Sequence, residues 1–183
     1  ADGWKAMEPE SKPGAHELKE PFRADNWEKA RLVPIQPSML SGSWKKMDTG
    51  QGLGKRFHGR MPEIWEGTTP GDRIRFKFKG TMVGLYDLLG PDGGQVVWTI
   101  DGRTSKPRPR FDSYCSYWRL ASLWMASDLE DGEHAVSVEI RPEQPDRSSV
   151  VDRVKDQPGF DPKKYDGTRV WVGSIMMIGE PLP

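Results

Sequence analysis

The clearest regularity in the chain is the alternation over residues 73–79, where Ile74, Phe76 and Phe78 are interleaved with Arg73, Arg75, Lys77 and Lys79. A period of two over that length predicts a half-buried antiparallel strand, apolar side inward and basic side outward. Gly80 permits a bend, and TMVGLYDLLG continues as a more fully buried strand. GPDGG reads as a hairpin turn, because proline presets one backbone angle and glycine supplies positive φ. Residues 95–101 (QVVWTID) then read as the partner strand, with Trp98 on the core face beside Val96 and Ile100. Alternation returns over 133–141, entered through the Asp131-Gly132 turn, with Val138 and Ile140 inward and either Ala135 or Val136 joining them. Residues 169–178 (RVWVGSIMMI) form a last apolar strand.

Upstream the pattern is weaker. Residues 31–36 predict a first strand, confined to an edge by Pro34, which cannot donate to a central ladder. Residues 55–58 and 63–65 are two more short strand candidates. Residues 1–29 are polar and turn-rich with Trp4, Phe22 and Trp27 as isolated apolar positions, and they read as an extended lead-in lying on a domain that spans 30–183. Only WRLASLWMASDL has a helical pattern, from the offsets of Leu120, Leu123, Trp124 and Leu129. SSVVDRVKDQPGFDPKKYDG reads as a long loop with one helical turn. Many short strands separated by Gly (20) and Pro (16) predict an all-β chain, an antiparallel β-sandwich of jelly-roll type with long loops.

Composition removes several functions. Lys+Arg and Asp+Glu balance at 27 each, whereas a nucleic-acid binder carries a net basic face. The single Cys115 excludes an internal disulfide framework and a cysteine-built zinc site; within a strand it reads as a small buried hydrophobe. No run of eighteen apolar residues exists to span a membrane. The opening ADGWKAMEPESKPG lacks the apolar stretch of a signal peptide, as expected for a chain whose leader has been removed or for a segment of a longer protein.

The richest candidate chemistry is the string Arg108, Arg110, Asp112, Tyr114, Tyr117, Trp118 and Arg119. Sugar recognition needs flat aromatic faces against the C–H side of a pyranose. It also needs charged groups that take up hydroxyls directionally, because unpaired buried polar groups are costly. Tyr114, Tyr117 and Trp118 are therefore candidate stacking residues, and Arg110, Asp112 and Arg119 candidate hydroxyl or carboxylate holders. The competing reading makes half of the aromatics core and pairs Arg119 with a carboxylate. Trp44 and Trp65, in polar glycine-flanked segments, are candidate platforms or loop pins. His16, His58 and His134 form no ligand pair, and His134, after the Asp131-Gly132 turn, reads as a tie between that turn and the neighbouring strand. Calcium bridging loops through Asp92, Asp101, Asp112 or Asp131 is a further candidate, although no dense Asp-x-Asp-x-Asp-Gly loop is present. There is no Gly-x-Ser-x-Gly elbow. Glu130-Asp131 and Asp152 stand as ordinary solvated carboxylates, although paired carboxylates could still meet in the fold. A lyase built on Tyr114, Arg110 and Tyr117 is the enzymatic alternative.

From about Phe22 to Glu180 the chain resembles the β-sandwich domain that accompanies SGNH/GDSL-type esterases in polysaccharide-degrading bacteria. The residues that carry the resemblance are PGDRIRFKFKGTMVGLYDLLGPDGGQVVWTIDG, FDSYCSYWRL and DLEDGEHAVSVEI. The resemblance implies a secreted or periplasmic accessory module with a polysaccharide or oligosaccharide partner, beside a hydrolase that deacylates carbohydrate. That hydrolase's Gly-Asp-Ser and Asp-x-x-His motifs do not occur in these residues. The expectation is a non-catalytic carbohydrate-binding module, with a domain that docks on the catalytic partner as the alternative from another class.

Overall fold

The computed structural model describes residues 27–183. The lead-in positions Trp4, His16 and Phe22 lie outside them. In chain order the elements are β1 (Ala30–Pro34), β2 (Leu40–Ser41), β3 (Lys45–Lys46), α1 (Gly52–Phe57), β4 (Trp65–Gly67), β5 (Arg73–Leu89), β6 (Gln95–Ile100), β7 (Arg103–Thr104), β8 (Arg108–Pro109), β9 (Arg119–Ala126), β10 (Gly132–Arg141), α2 (Ser148–Val154) and β11 (Val170–Leu182). Every ladder between these strands is antiparallel.

Strand β5 organises the two layers. Its first half pairs with β10, which carries β6 on its far side. Its second half lies between β11 and β9, and β1 and β4 extend that layer beyond β11. Side chains from both layers meet in one core: Ile74, Phe78, Val96, Val138 and Ile140 from the first, Val83, Leu85, Leu123, Val172 and Ile175 from the second. Each such burial is worth about 1.5–3 kcal/mol against leaving the side chain in water. The expected all-β sandwich is the observed one.

The layer change happens at a pair of glycines. Gly80 of β5 sits opposite Gly179 of β11, next to an irregularity in the register. A Cβ on Gly80 would lie 2.1 Å from the Ile178 carbonyl oxygen, and one on Gly179 would lie 2.1 Å from that of Lys79. The two backbones approach too closely for any side chain.

Four expectations need correction. The GPDGG turn does not fold β6 back onto β5: β6 crosses to the other layer and pairs with β10, β7 and β8. Residues 55–58 belong mostly to α1, where Leu53 and Phe57, four residues apart, pack together on Met61 and Ile64. The helical offsets in WRLASLWMASDL resolve as β9, with Leu123 and Met125 inward and Ser122 and Trp124 outward. Residues 112–117 form turns rather than a strand. The loop over 148–167 contains α2 and a short 3-10 turn, Pro162–Tyr165. No helix among the described residues is long and apolar enough to cross a membrane.

His134 ties the Asp131-Gly132 turn as expected. Its Nδ1 lies 2.6 Å from Asp101 Oδ2 and its Nε2 2.9 Å from the Glu130 carbonyl oxygen. Two acceptors facing two ring nitrogens favour the doubly protonated imidazolium. Partial burial opposes that charge, but the Asp101 carboxylate and the Glu130 carbonyl outweigh it and raise the His134 pKa. The same ring, with the Ala135 N–H, holds the Asp101 carboxyl below its ordinary value. The stabilisation by His134 is therefore complete below the unfolded imidazole pKa of about 6.5 and disappears as pH rises through the higher folded value. Thermal melts from pH 5.5 to 8.5 should show Tm falling with pH in this way, and His134→Gln should flatten the slope.

Candidate functional site

The candidate residues of the 110–119 string converge at one end of the sandwich, but in different roles. Arg110 follows β8 and turns inward. Its Nε lies 2.6 Å from Asp87 Oδ2 and its Nη2 donates to Asp87 Oδ1 at 2.8 Å, with both residues buried. Burial pushes the Asp87 carboxyl up, and the Arg110 guanidinium works against that shift. Arg110 is thus a strut beneath the site and not a sugar-facing group, a correction to the sequence reading. The Arg110 N–H donates to the Gly94 carbonyl at 2.7 Å, so the GPDGG turn and the string are laced together.

Beyond Arg110 the chain wraps around Cys115. Asp112 Oδ1 accepts from the Tyr114 N–H at 2.9 Å, and the Asp112 carbonyl accepts from the Cys115 N–H at 3.0 Å. Aspartate suits this place because its short carboxylate mimics a turn carbonyl. Cys115 is fully buried with Phe111, Leu89, Val150 and Tyr165, and burial pushes its thiol up to about 11. It is a packing residue rather than a nucleophile. The turn is held from outside as well: Arg153 of α2 donates to the Ser113 carbonyl at 2.6 Å, and Lys164 Nζ to that of Ser116 at 2.7 Å.

Two tyrosines project from this braced turn. Tyr114 is 67% exposed and Tyr117 49% exposed. Arg119, at the start of β9, pairs with Asp112 and lies over the Tyr114 ring, 5.8 Å from its centroid. Partial burial pushes the Asp112 carboxyl up, but Arg119 and the Tyr114 N–H together hold it below its ordinary value. The polar part of the site is therefore a neutralised Asp–Arg pair beside an aromatic face.

Trp118 is the second correction. Its Nε1 donates to Asp92 Oδ1 at 3.2 Å, its ring meets Trp171 edge-on, and it rests against Gly90, where a Cβ would come within 2.3 Å of it. Lys164 Nζ covers the ring at 5.5 Å from its centroid. Trp118 is a wedge between the GPDGG turn and the sheet. Burial pushes the Asp92 carboxyl up, with Arg169 among the groups opposing it. Arg147, buried with no ion-pair partner among the described residues, fixes this loop by donating to the carbonyls of Pro91 (2.9 Å), Gly93 (2.8 Å) and Gly167 (2.7 Å).

Trp44 and Trp65 are not part of this turn. Both are half-buried on the main core at the β3–β4 edge, with Lys46 over the Trp65 ring. The calcium candidates Asp92, Asp101 and Asp112 already have the partners described. Among the described residues no three His, Cys, Asp or Glu side chains come together to hold a metal ion. Sequence reasoning missed Asp87, Arg147, Arg153 and Lys164, whose sequence distance from the turn hides their role. It also missed Trp124, whose outward place follows only from the period of two in β9.

The chain has the fold of two solved structures of a two-domain esterase (CEX) active on acetylated mannans. One has 14% identity and a TM-score of 0.61, covering 94% of this chain and 41% of that one. The other, co-crystallised with mannopentaose, has 13% identity and a TM-score of 0.59, covering 92% of this chain and 41% of that one. The likeness is one of fold. A family two carbohydrate esterase from Cellvibrio japonicus is more distant, at 11% identity and a TM-score of 0.49, covering 84% of this chain and 35% of that one. The chain spans about two fifths of the length of the mannan esterases. No protein-family model matches it, and no curated protein does.

Proposed function

We propose that this domain is a non-catalytic carbohydrate-binding accessory module of a secreted or periplasmic polysaccharide esterase. The observation that carries the reading is the pair of exposed tyrosines, Tyr114 and Tyr117, on a turn braced by Arg110–Asp87 below and by Arg153 and Lys164 outside. Largely exposed rings outside the core, on a turn held by hydrogen bonds from Arg153 and Lys164, are suited to stacking on sugars with little ordering cost. The Asp112–Arg119 pair adds an acceptor and a donor for ring hydroxyls. The shared fold with esterases active on acetylated mannans supports a β-mannan or a related plant polysaccharide as the partner, and a catalytic hydrolase domain as the neighbour.

The test is affinity electrophoresis of the whole chain through acetylated mannan, deacetylated mannan, xylan and hydroxyethylcellulose. At least one of these should retard the protein, and Tyr114→Ala/Tyr117→Ala should weaken that binding about 30-fold or more, as for loss of a central aromatic contact. Retardation by none of them, or by one of them equally in the tyrosine variant, would overturn the reading.

A further inference from the structure

The corner where β5 changes layers carries a second inference, which rests on the saccharide reading. Between the approach to β1 and the loop joining β9 to β10 lies a groove of about 810 Å3, within the range of small-molecule sites. Its floor is Gly80, Met82, Ile178 and Gly179. The two glycines that let the layers switch leave this part of the floor open between Met82 and Ile178. Trp27 forms one wall and is 60% exposed; its ring centroid lies 6.0 Å from that of Trp124, which is 42% exposed. Trp124 stands opposite Gly84 on β5, which offers no side chain to cover it. Two indoles side by side in solvent are costly and mark a surface for contact.

The polar lining says what kind of ligand fits. Lys29, Arg31 and Lys79 line the groove together with Glu28, Asp128, Asp131 and Glu180, and Thr81 and Ser127 add hydroxyls. An anion would meet four carboxylates, and a cation three basic groups. A sugar hydroxyl both donates and accepts, so it matches a mixed set, and the Trp27 indole in the groove wall matches the C–H face of the same ring. We infer that this groove is a second binding site, for a neutral saccharide, with the Trp27 ring stacking on the sugar, Trp124 outside the lining bracing that ring, and the flanking charges holding hydroxyls. It is separate from the tyrosine turn, since that turn leads into β9 at Arg119 and the groove begins past its other end at Ser127, about 26 Å away at strand rise.

The experiment is calorimetric titration of the whole chain with mannopentaose and with cellohexaose, comparing Trp27→Ala, Trp124→Ala and Tyr114→Ala/Tyr117→Ala. All four replaced rings are substantially exposed, so the variants should fold, and each is checked by its melt. Two sites are expected in the unmodified chain, with one left after either tryptophan substitution and the tyrosine-turn site unaltered. A single site that the tyrosine substitutions remove and the tryptophan substitutions leave unaltered would overturn the groove and spare the turn. Loss with the tryptophan substitutions alone would support the groove and overturn the turn. No heat with either saccharide, in a folded chain, would overturn the groove, and the turn as well if electrophoresis also shows no retardation.

Discussion

Replacing Arg110 with methionine is expected to lower stability by about 3–5 kcal/mol, because it strands the Asp87 carboxylate in a buried position without its counter-ion. For a domain of this size the loss corresponds to a fall in Tm of roughly 6–20 °C. The cost comes from the uncompensated charge, so the partner substitution should reverse much of it. Arg110→Met/Asp87→Leu removes both charges, and a buried ion pair replaced by apolar groups of similar volume is often neutral in stability. The comparison separates the pair's two roles. If the double variant regains its Tm yet binds glycan weakly, the pair acts by setting the 110–119 turn. If the single variant melts like the unmodified chain, Arg110 is not the strut described here.

A side chain at the layer switch should be as damaging. In Gly179→Ala the added Cβ would lie 2.1 Å from the Lys79 oxygen and 2.7 Å from the Gly80 Cα, both backbone atoms of the facing strand. Gly179 also has φ of 143°, a region that alanine adopts at a cost. Neither strand can retreat, since each is paired on its other side over this stretch: β5 with β10, and β11 with the backbone of Lys29. A loss of about 3 kcal/mol or more is expected, read as a lower denaturation midpoint or as insoluble protein. Gly102→Ala is the control: its φ is 81°, but nothing lies within 4 Å of the added atom, so it should lose only the backbone part of the effect.

The sequence carries the parts of this fold that depend on neighbours along the chain. Ile74, Phe76 and Phe78 face the core because β5 alternates, and Cys115 is buried because a small apolar side chain suits the centre of a tight turn. Longer-range choices are not written locally. GPDGG has the chemistry of a hairpin, yet β6 leaves for β10, because β5 has already taken β9 and β11 as neighbours there. The offsets of Leu120, Leu123 and Trp124 fit a helix as well as a strand, and pairing with β5 decides the matter.

The candidate string over 110–119 behaves in the same way. Its members gather at one end of the molecule, and Tyr114 and Tyr117 stand exposed there. Which members point outward was set by partners far along the chain. Asp87 draws Arg110 in from 23 residues away, and Asp92 and Trp171 hold Trp118 down. A residue's type offered the chemistry, and its partner determined whether that chemistry remained available.

The account stands or falls on the two exposed rings, and the chain's four tyrosines make them directly observable. The measurement is an NMR titration of ring-labelled tyrosine with the polysaccharide fragment that retards the domain. The account predicts that the Tyr114 and Tyr117 ring signals shift with saturation, while that of Tyr165, buried beside Cys115, stays in place. Saturable binding that moves neither Tyr114 nor Tyr117 would contradict it.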